Sequence, residues 1–277
     1  MPIVAPLRSV VINYSTGARV ESASDTSLPG VRELLFEAVL AAATLTLWPI
    51  LDERSQGSAA QRSRATVYFP IVGFMLGVIL AIVDRTAGLV SGPVGRSFLV
   101  LIVGAGLSLG LANRGVADTV EVIRRGARPA STGLARIGPV GAAASIAAFA
   151  FEIWCLSRIA DDAGRAAAIV MAAMLSRWAI IPIGYGLKPL EHWGLGIPYE
   201  GGISFREFAV SSAIALGLTM GLYQNVGLAV IVALALTILA MRLVLSRRIG
   251  GASGYTLAGG CALVEVVTFA VMAALRA

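Results

Sequence analysis

The stretch Leu111–Gly141, LANRGVADTVEVIRRGARPASTGLARIGPVG, interrupts a chain that is otherwise close to uniformly apolar. It sets one aspartate, Asp118, and one glutamate, Glu121, among the arginines Arg114, Arg124, Arg125, Arg128 and Arg136, between two long hydrophobic segments. In a chain whose surroundings are lipid, a polar stretch this concentrated is either a loop or the place where chemistry is done.

The surroundings follow from composition. Charged residues make up 14% of the 277 residues, against roughly 25% in soluble domains. The deficit runs along the whole length, so the solvent for most side chains is hydrocarbon. Ala, Gly, Leu and Val dominate, as helices need where they approach closely. The fold class expected is an all-α, polytopic transmembrane helical bundle with six to eight membrane helices. Residues 34–277 are expected to form one helical domain. Residues 1–33 are mixed polar and Ser-rich, lack a basic region followed by an apolar core, and read as a flexible or amphipathic tail, not a cleaved signal peptide.

The net charge of +6 reads first as arginine placed beside membrane spans. No soluble basic domain is present to engage nucleic acid. Cys155 and Cys261 both fall in apolar runs and read as small core residues. The single histidine, His192, reads as structural.

Eight apolar stretches meet or approach the length of a span: Leu34–Leu51, Val67–Val90, Ser97–Ala112, Ile137–Ile159, Ala166–Gly186, Phe208–Tyr223, Gly227–Leu245 and Leu257–Leu275. The first is short and contains Glu37, which suits an interfacial or re-entrant helix; the third and sixth are short too. Alternate loops sort by charge. One set holds Arg54, Arg62 and Arg64, then the arginines of Asn113–Gly141, then Lys188 and Arg206, then Arg247 and Arg248. The other holds Arg85, Arg96, Arg158, Arg165 and Arg276. The richer set is assigned to the cytoplasm, which makes the expected location the inner membrane with a site on its cytoplasmic face.

That parity gathers every unusual segment on one face: Tyr68–Gly77, Asn113–Gly141, Glu191–Gly202 and Arg247–Gly260. Each also has a plain structural reading. Gly73 and Gly77 have the spacing of tight helix packing. Gly194, Gly196, Gly201 and Gly202 suit a flexible loop. Gly250, Gly251 and Gly254 form a turn whose backbone N–H groups can meet a phosphate, just after Arg247-Arg248 and before a helix start.

Taken together, these blocks resemble the cobalamin synthase (adenosylcobinamide-GDP ribazoletransferase) family, from about Ala43 to the C-terminus. Phe69-Pro70-Ile71-Val72-Gly73 with Gly77 matches a family F-P-[LI]-V-G-x-x-x-G block. Ala112–Val122 aligns with H-L-D-G-L-A-D-T-x-D-G, and Leu134–Gly138 with Gly141 aligns with D-S-R-x-G-x-x-G. Ser176-Arg177 aligns with a mid-chain S-R, Trp193–Gly196 with E-G-L-G, and Ile249–Gly259 with L-G-G-x-T-G-D-x-L-G-A. Glu265 matches the second of two glutamates that follow. The departures are equally specific: acidic positions of the family hold Arg114, Leu134, Tyr255 and Ala262, and Glu121 replaces an aspartate.

The resemblance implies that adenosylcobinamide-GDP and α-ribazole, or its 5′-phosphate, are joined with release of GMP, with Mg²⁺ as cofactor. Attack on a diphosphate concentrates negative charge that a hard cation held by carboxylates can offset. Asp118 and Glu121, at i and i+3, are the candidate catalytic and metal-binding residues. In a helix, though, Arg114 pairs with Asp118 and Arg125 with Glu121 at i, i+4, and a guanidinium beside the ligands predicts weak Mg²⁺ binding or none. The candidate substrate-binding set is Arg124, Arg125, Arg136, Gly138, Arg177, Arg248, Gly250, Gly251, Gly254 and Glu265. Its arginines suit phosphate oxygens or a lipid headgroup; Arg177 and Glu265 equally suit a salt bridge. Two other functions stay open: a catalytically impaired or repurposed paralogue binding a phosphorylated or lipid ligand, and a small transporter, for which no internal repeat is visible. Oligomerisation is left open.

Overall fold

The structure is a computed structural model and describes residues 31–46, 58–108, 110–125, 138–190 and 203–276. The side chain of Arg125, and Arg128, Leu134, Arg136, His192, Gly194, Gly196 and most of the N-terminal tail, lie outside the described residues. The described chain is helical, in the order α1 (Val31–Leu45), α2 (Ala59–Ala65), α3 (Phe69–Ala87), α4 (Pro93–Leu107), α5 (Leu111–Arg125), α6 (Pro139–Arg158), α7 (Asp162–Gly184), α8 (Phe205–Val244) and α9 (Gly254–Arg276). No strand occurs among the described residues.

Five helices are long and apolar enough to cross a membrane, and α4 with α5 makes a sixth candidate broken by a bend of 83°. One of the five, Phe205–Ile249, has 45 residues and as a straight helix would reach about 67 Å, twice the roughly 30 Å of hydrocarbon. It folds back instead. Gln224 has φ 42° and ψ −120°, and a Cβ on Gly227 would sit 2.7 Å from the carbonyl oxygen of Thr219, eight residues earlier. A straight helix separates such residues by about 12 Å. The two arms match the separate stretches expected at Phe208–Tyr223 and Gly227–Leu245, so the chain is a multi-pass membrane bundle of the expected size. Large apolar side chains such as Ile79, Ile82, Ile146, Leu236 and Leu239 are exposed on it, the condition of a surface that faces lipid.

α7 is the central helix, buried on nearly all sides from Ala168 to Gly184. α3 packs against it most extensively because Gly73 and Gly77 have no side chains. A Cβ at Gly73 would lie 2.6 Å from the Ala173 carbonyl oxygen, and one at Gly77 would lie 2.7 Å from the Val170 Cα. The packing reading of that motif is the one the structure supports. α1 is only 15 residues long, and its buried Glu37 meets Arg64 of α2 at 2.5 Å.

One end of the bundle is tied by ion pairs. Arg165, at the start of α7, is 2% exposed. It donates to Asp84 of α3 at 2.7 Å, to Ser97 of α4 at 3.1 Å and to the Leu156 carbonyl of α6. Arg96 joins the same Asp84 and also Asp162, which Arg85 meets at 2.7 Å. Arg276 ends α9 beside Asp161. Arg85, Arg96, Arg165 and Arg276, four of the five arginines in the poorer set, therefore share one end, where aspartates balance them.

Candidate functional site

At the opposite end α5 crosses the bundle. The bend after α4 turns the chain at Gly110, which has φ +64°, a conformation that costs glycine little. α5 then packs between α9 and α6. Two glycines allow its approach to α9: a Cβ on Gly115 would strike the Gly259 amide nitrogen, and one on Gly259 would strike the Thr119 hydroxyl. Gly141 does the same for α6, where a Cβ would meet the Ala117 carbonyl. Glycines aligned to three separate motif blocks are thus the contact points of three helices.

The charged face of α5 is half enclosed by this packing. Asp118 is 8% exposed and Glu121 is 7% exposed. Arg114 stands 3.6 Å from Asp118, the expected i, i+4 pair, and its guanidinium lies 5.1 Å from the centroid of the Tyr255 ring at the start of α9. Glu121 is fully engaged. One carboxylate oxygen accepts the Gly141 N–H at 3.1 Å and the other accepts from Arg124 at 3.0 Å.

The glycine turn before α9 proves more structural than a phosphate cradle requires. The Gly250 N–H closes a π-type turn onto Leu245, the Ala252 N–H bonds to Lys188, and the Ser253 N–H bonds to the Thr256 hydroxyl. A Cβ on Gly251 would collide with the Lys188 carbonyl. Ser253 and Thr256 cap α9 reciprocally, as a capping box does. What this turn leaves for a ligand is the first turn of α9, Gly254 and Tyr255, whose N–H groups have no intrahelical acceptor. Arg248 is exposed on the adjoining π-type turn, which touches α5. Gly138 is the extended residue before α6.

Beneath α5 lies a second polar group. Arg177 of α7 pairs with Glu265 of α9, and Ser176 donates to the same carboxylate at 2.9 Å. Glu152 of α6 is 6% exposed and lines, with Arg177, Glu265, Ser108 and Asn113, a cavity of about 50 Å³, room for a few waters. A neighbouring cavity reaches from Arg177 and Glu265 to Leu111 and Ala258, directly under the α5–α9 contact. Glu152, a charge inside the apolar run of α6, thus shares one polar group with Arg177 and Glu265. Arg242 was missed as well: from the second arm of α8 it donates to the carbonyls of Pro182, Ile183 and Tyr185 at 2.6, 3.2 and 2.6 Å. These are end-of-helix acceptors that α7 cannot satisfy itself.

The Mg²⁺ that the family resemblance implies finds poor accommodation. Among the described residues, no group of three or more His, Cys, Asp or Glu is placed to hold a metal ion. Glu121 has spent both oxygens, and Asp118 has a guanidinium as its neighbour. These residues do not fit a divalent cation.

Fold and site together define a multi-pass membrane protein with a charged site at one end, built from α5, α6 and α9. The family model described as Cobalamin-5-phosphate synthase matches residues 37–273, and the chain belongs to that family. An adenosylcobinamide-GDP ribazoletransferase of Roseiflexus sp. (strain RS-1) is 30% identical over 242 residues, covering 82% of this chain and 85% of the relative. One of Sinorhizobium medicae (strain WSM419) is 25% identical over 260 residues, covering 88% and 98%. No solved structure matches the chain.

Proposed function

We propose that the chain joins adenosylcobinamide-GDP to α-ribazole, or to its 5′-phosphate, late in cobalamin biosynthesis. A ribazole hydroxyl attacks the cobinamide-side phosphorus, a new P–O bond forms, the anhydride bond breaks and GMP leaves. Asp118 accepts the hydroxyl proton. Arg124 and Arg248 hold phosphate oxygens at the rim, the start of α9 at Gly254 supplies backbone N–H groups, and Arg125 and Arg136 are assigned to the same phosphates from the sequence motifs alone. Glu121 holds α6 to α5 and so positions Asp118. Arg177 and Glu265 lie under the site, and their cavities suit the uncharged part of a substrate. The reading places the protein in the inner membrane with this end toward the cytoplasm, supported by the richer arginine set.

The observation that supports it best is convergence. Arg114-Gly115 and Asp118, Gly141, and Tyr255 with Gly259 come from distant parts of the sequence, and all touch around α5. Purified protein in detergent, given both substrates, is expected to release GMP and form the joined product. Asp118→Asn is expected to lower kcat by about 10²–10⁴-fold, the usual weight of a general base.

A second reading has one observation in its favour. The carboxylates of α5 are already paired with guanidinium groups, as in a scaffold reused to bind a phosphorylated or lipid ligand. Well-folded protein that binds nucleotide yet forms no product, and fails to rescue growth of a strain lacking the transferase, would select it.

A further inference from the structure

We infer, resting on the nucleotide-transfer reading above, that Arg114 does the work of a divalent cation: this chain binds the diphosphate of its ligand through a guanidinium held on Tyr255, without Mg²⁺.

Arg114 and Tyr255 occupy positions where the resembling motif blocks have aspartates, one in each of two blocks far apart in sequence. In space the two are in contact. Two acids on facing helices would need a shared cation between them. A guanidinium stacked on a ring supplies the positive charge and its support in one covalent structure. The ring fixes the face of the guanidinium plane and leaves its N–H edge open.

Among the described residues the edge has no hydrogen-bond acceptor. The Arg114 side chain makes no hydrogen bond to the described residues, and its buried Nε faces only Asp118 across 3.6 Å. Asp118 at 3.6 Å attracts it but is beyond hydrogen-bond reach. A second atom on the same helix, Asp118 Oδ2, also lacks a hydrogen bond, on a residue 8% exposed. Buried polar atoms are nearly always satisfied, so two facing atoms of opposite charge, neither of them hydrogen-bonded, mark a place where a ligand belongs. A divalent cation cannot complete it. It would be repelled by Arg114, and its only unspent carboxylate would be Asp118. A phosphate beside a hydroxyl does complete it. The phosphate oxygens accept from the Arg114 fork, and the ligand hydroxyl donates to Asp118.

The test is GDP binding to the purified full chain, by titration calorimetry in EDTA and again in excess Mg²⁺, with Mn²⁺ binding followed by electron paramagnetic resonance. The dissociation constant is expected to stay the same in both solutions, with no Mn²⁺ bound to the free protein. Arg114→Gln is expected to weaken binding in EDTA by about tenfold or more, the weight of hydrogen bonds to a charged group. Arg114→Lys is expected to retain part of it and to report on folding. Tyr255→Phe should bind as the parent does, and Tyr255→Ala more weakly. The double variant R114D/Y255D is expected to require Mg²⁺ for GDP binding. Parent binding that tightens tenfold or more with Mg²⁺, or an R114Q protein that binds unchanged in EDTA, overturns the inference and leaves the transferase reading standing. Absence of GDP binding by folded parent protein in both solutions overturns both.

Discussion

At the scale of single residues, the molecule separates charges that hold it together from charges held ready. Asp84 and Arg165 are each about 2% exposed, and removing one partner of such a pair strands the other. Asp84→Ala is therefore expected to destabilise by about 3–5 kcal/mol. Asp162→Ala breaks pairs whose aspartate is half exposed, where solvent screens the charges, and is expected to shift stability far less. Thermal unfolding in detergent with both variants side by side checks this; equal shifts would contradict the burial argument. Glu121 is a finer case. Its Oε1 receives the Gly141 N–H, which an amide oxygen can also receive, so Glu121→Gln is expected to keep the α5–α6 contact. Glu121→Ala leaves that buried N–H without an acceptor, at a cost of about 1–3 kcal/mol, read by the same melts. Little of this pairing was legible in sequence. The i, i+4 partner of Asp118 was, because helix geometry is local. The partnership of Arg165 with Asp84, or of Arg114 with Tyr255, depends on which helices meet, and no local period records that.

At the scale of elements, close backbone approach decides where α5 lies. Gly115 and Gly259 face each other across α5 and α9, so a side chain on either must push the helices apart. Gly115→Leu is expected to loosen α5 and cost at least about 1–3 kcal/mol, with α5 cut earlier in limited proteolysis. Gly217→Ala, where a Cβ meets open space, should be neutral or stabilise by about 0.5–1 kcal/mol. Similar losses for both would refute the contact. The spans themselves were legible because a run of some 20 apolar residues has few other solutions. The break in α8 was legible too, since Gln224-Asn225 interrupts the apolar run. The glycine turn at 250–254 misled in emphasis. Glycine was expected there for a phosphate, and three of its N–H groups and the Cβ space at Gly251 are taken by the fold. A sequence shows that a position needs glycine but not which neighbour imposes the need.

At the scale of the whole molecule, the alternation of arginine-rich and arginine-poor loops predicted that all unusual segments meet at one end. α5, the start of α6 and the start of α9 do meet there, and the aspartate-balanced cluster occupies the other end; Glu191–Gly202 lies outside the described residues. Single cysteines test the topology, because native Cys155 and Cys261 are buried. In sealed vesicles T86C and N225C are expected to react with an impermeant maleimide from one side, and S246C from the other. Labelling of T86C and S246C from the same side would remove the fold-back of α8 and the shared end together.

One consequence of that architecture concerns how the chain is made. Arg242 furnishes the donors for three carbonyls at the close of α7, yet it is synthesised some sixty residues after them. During biogenesis the innermost helix must wait, its last turn open, until the returning arm of α8 is laid alongside.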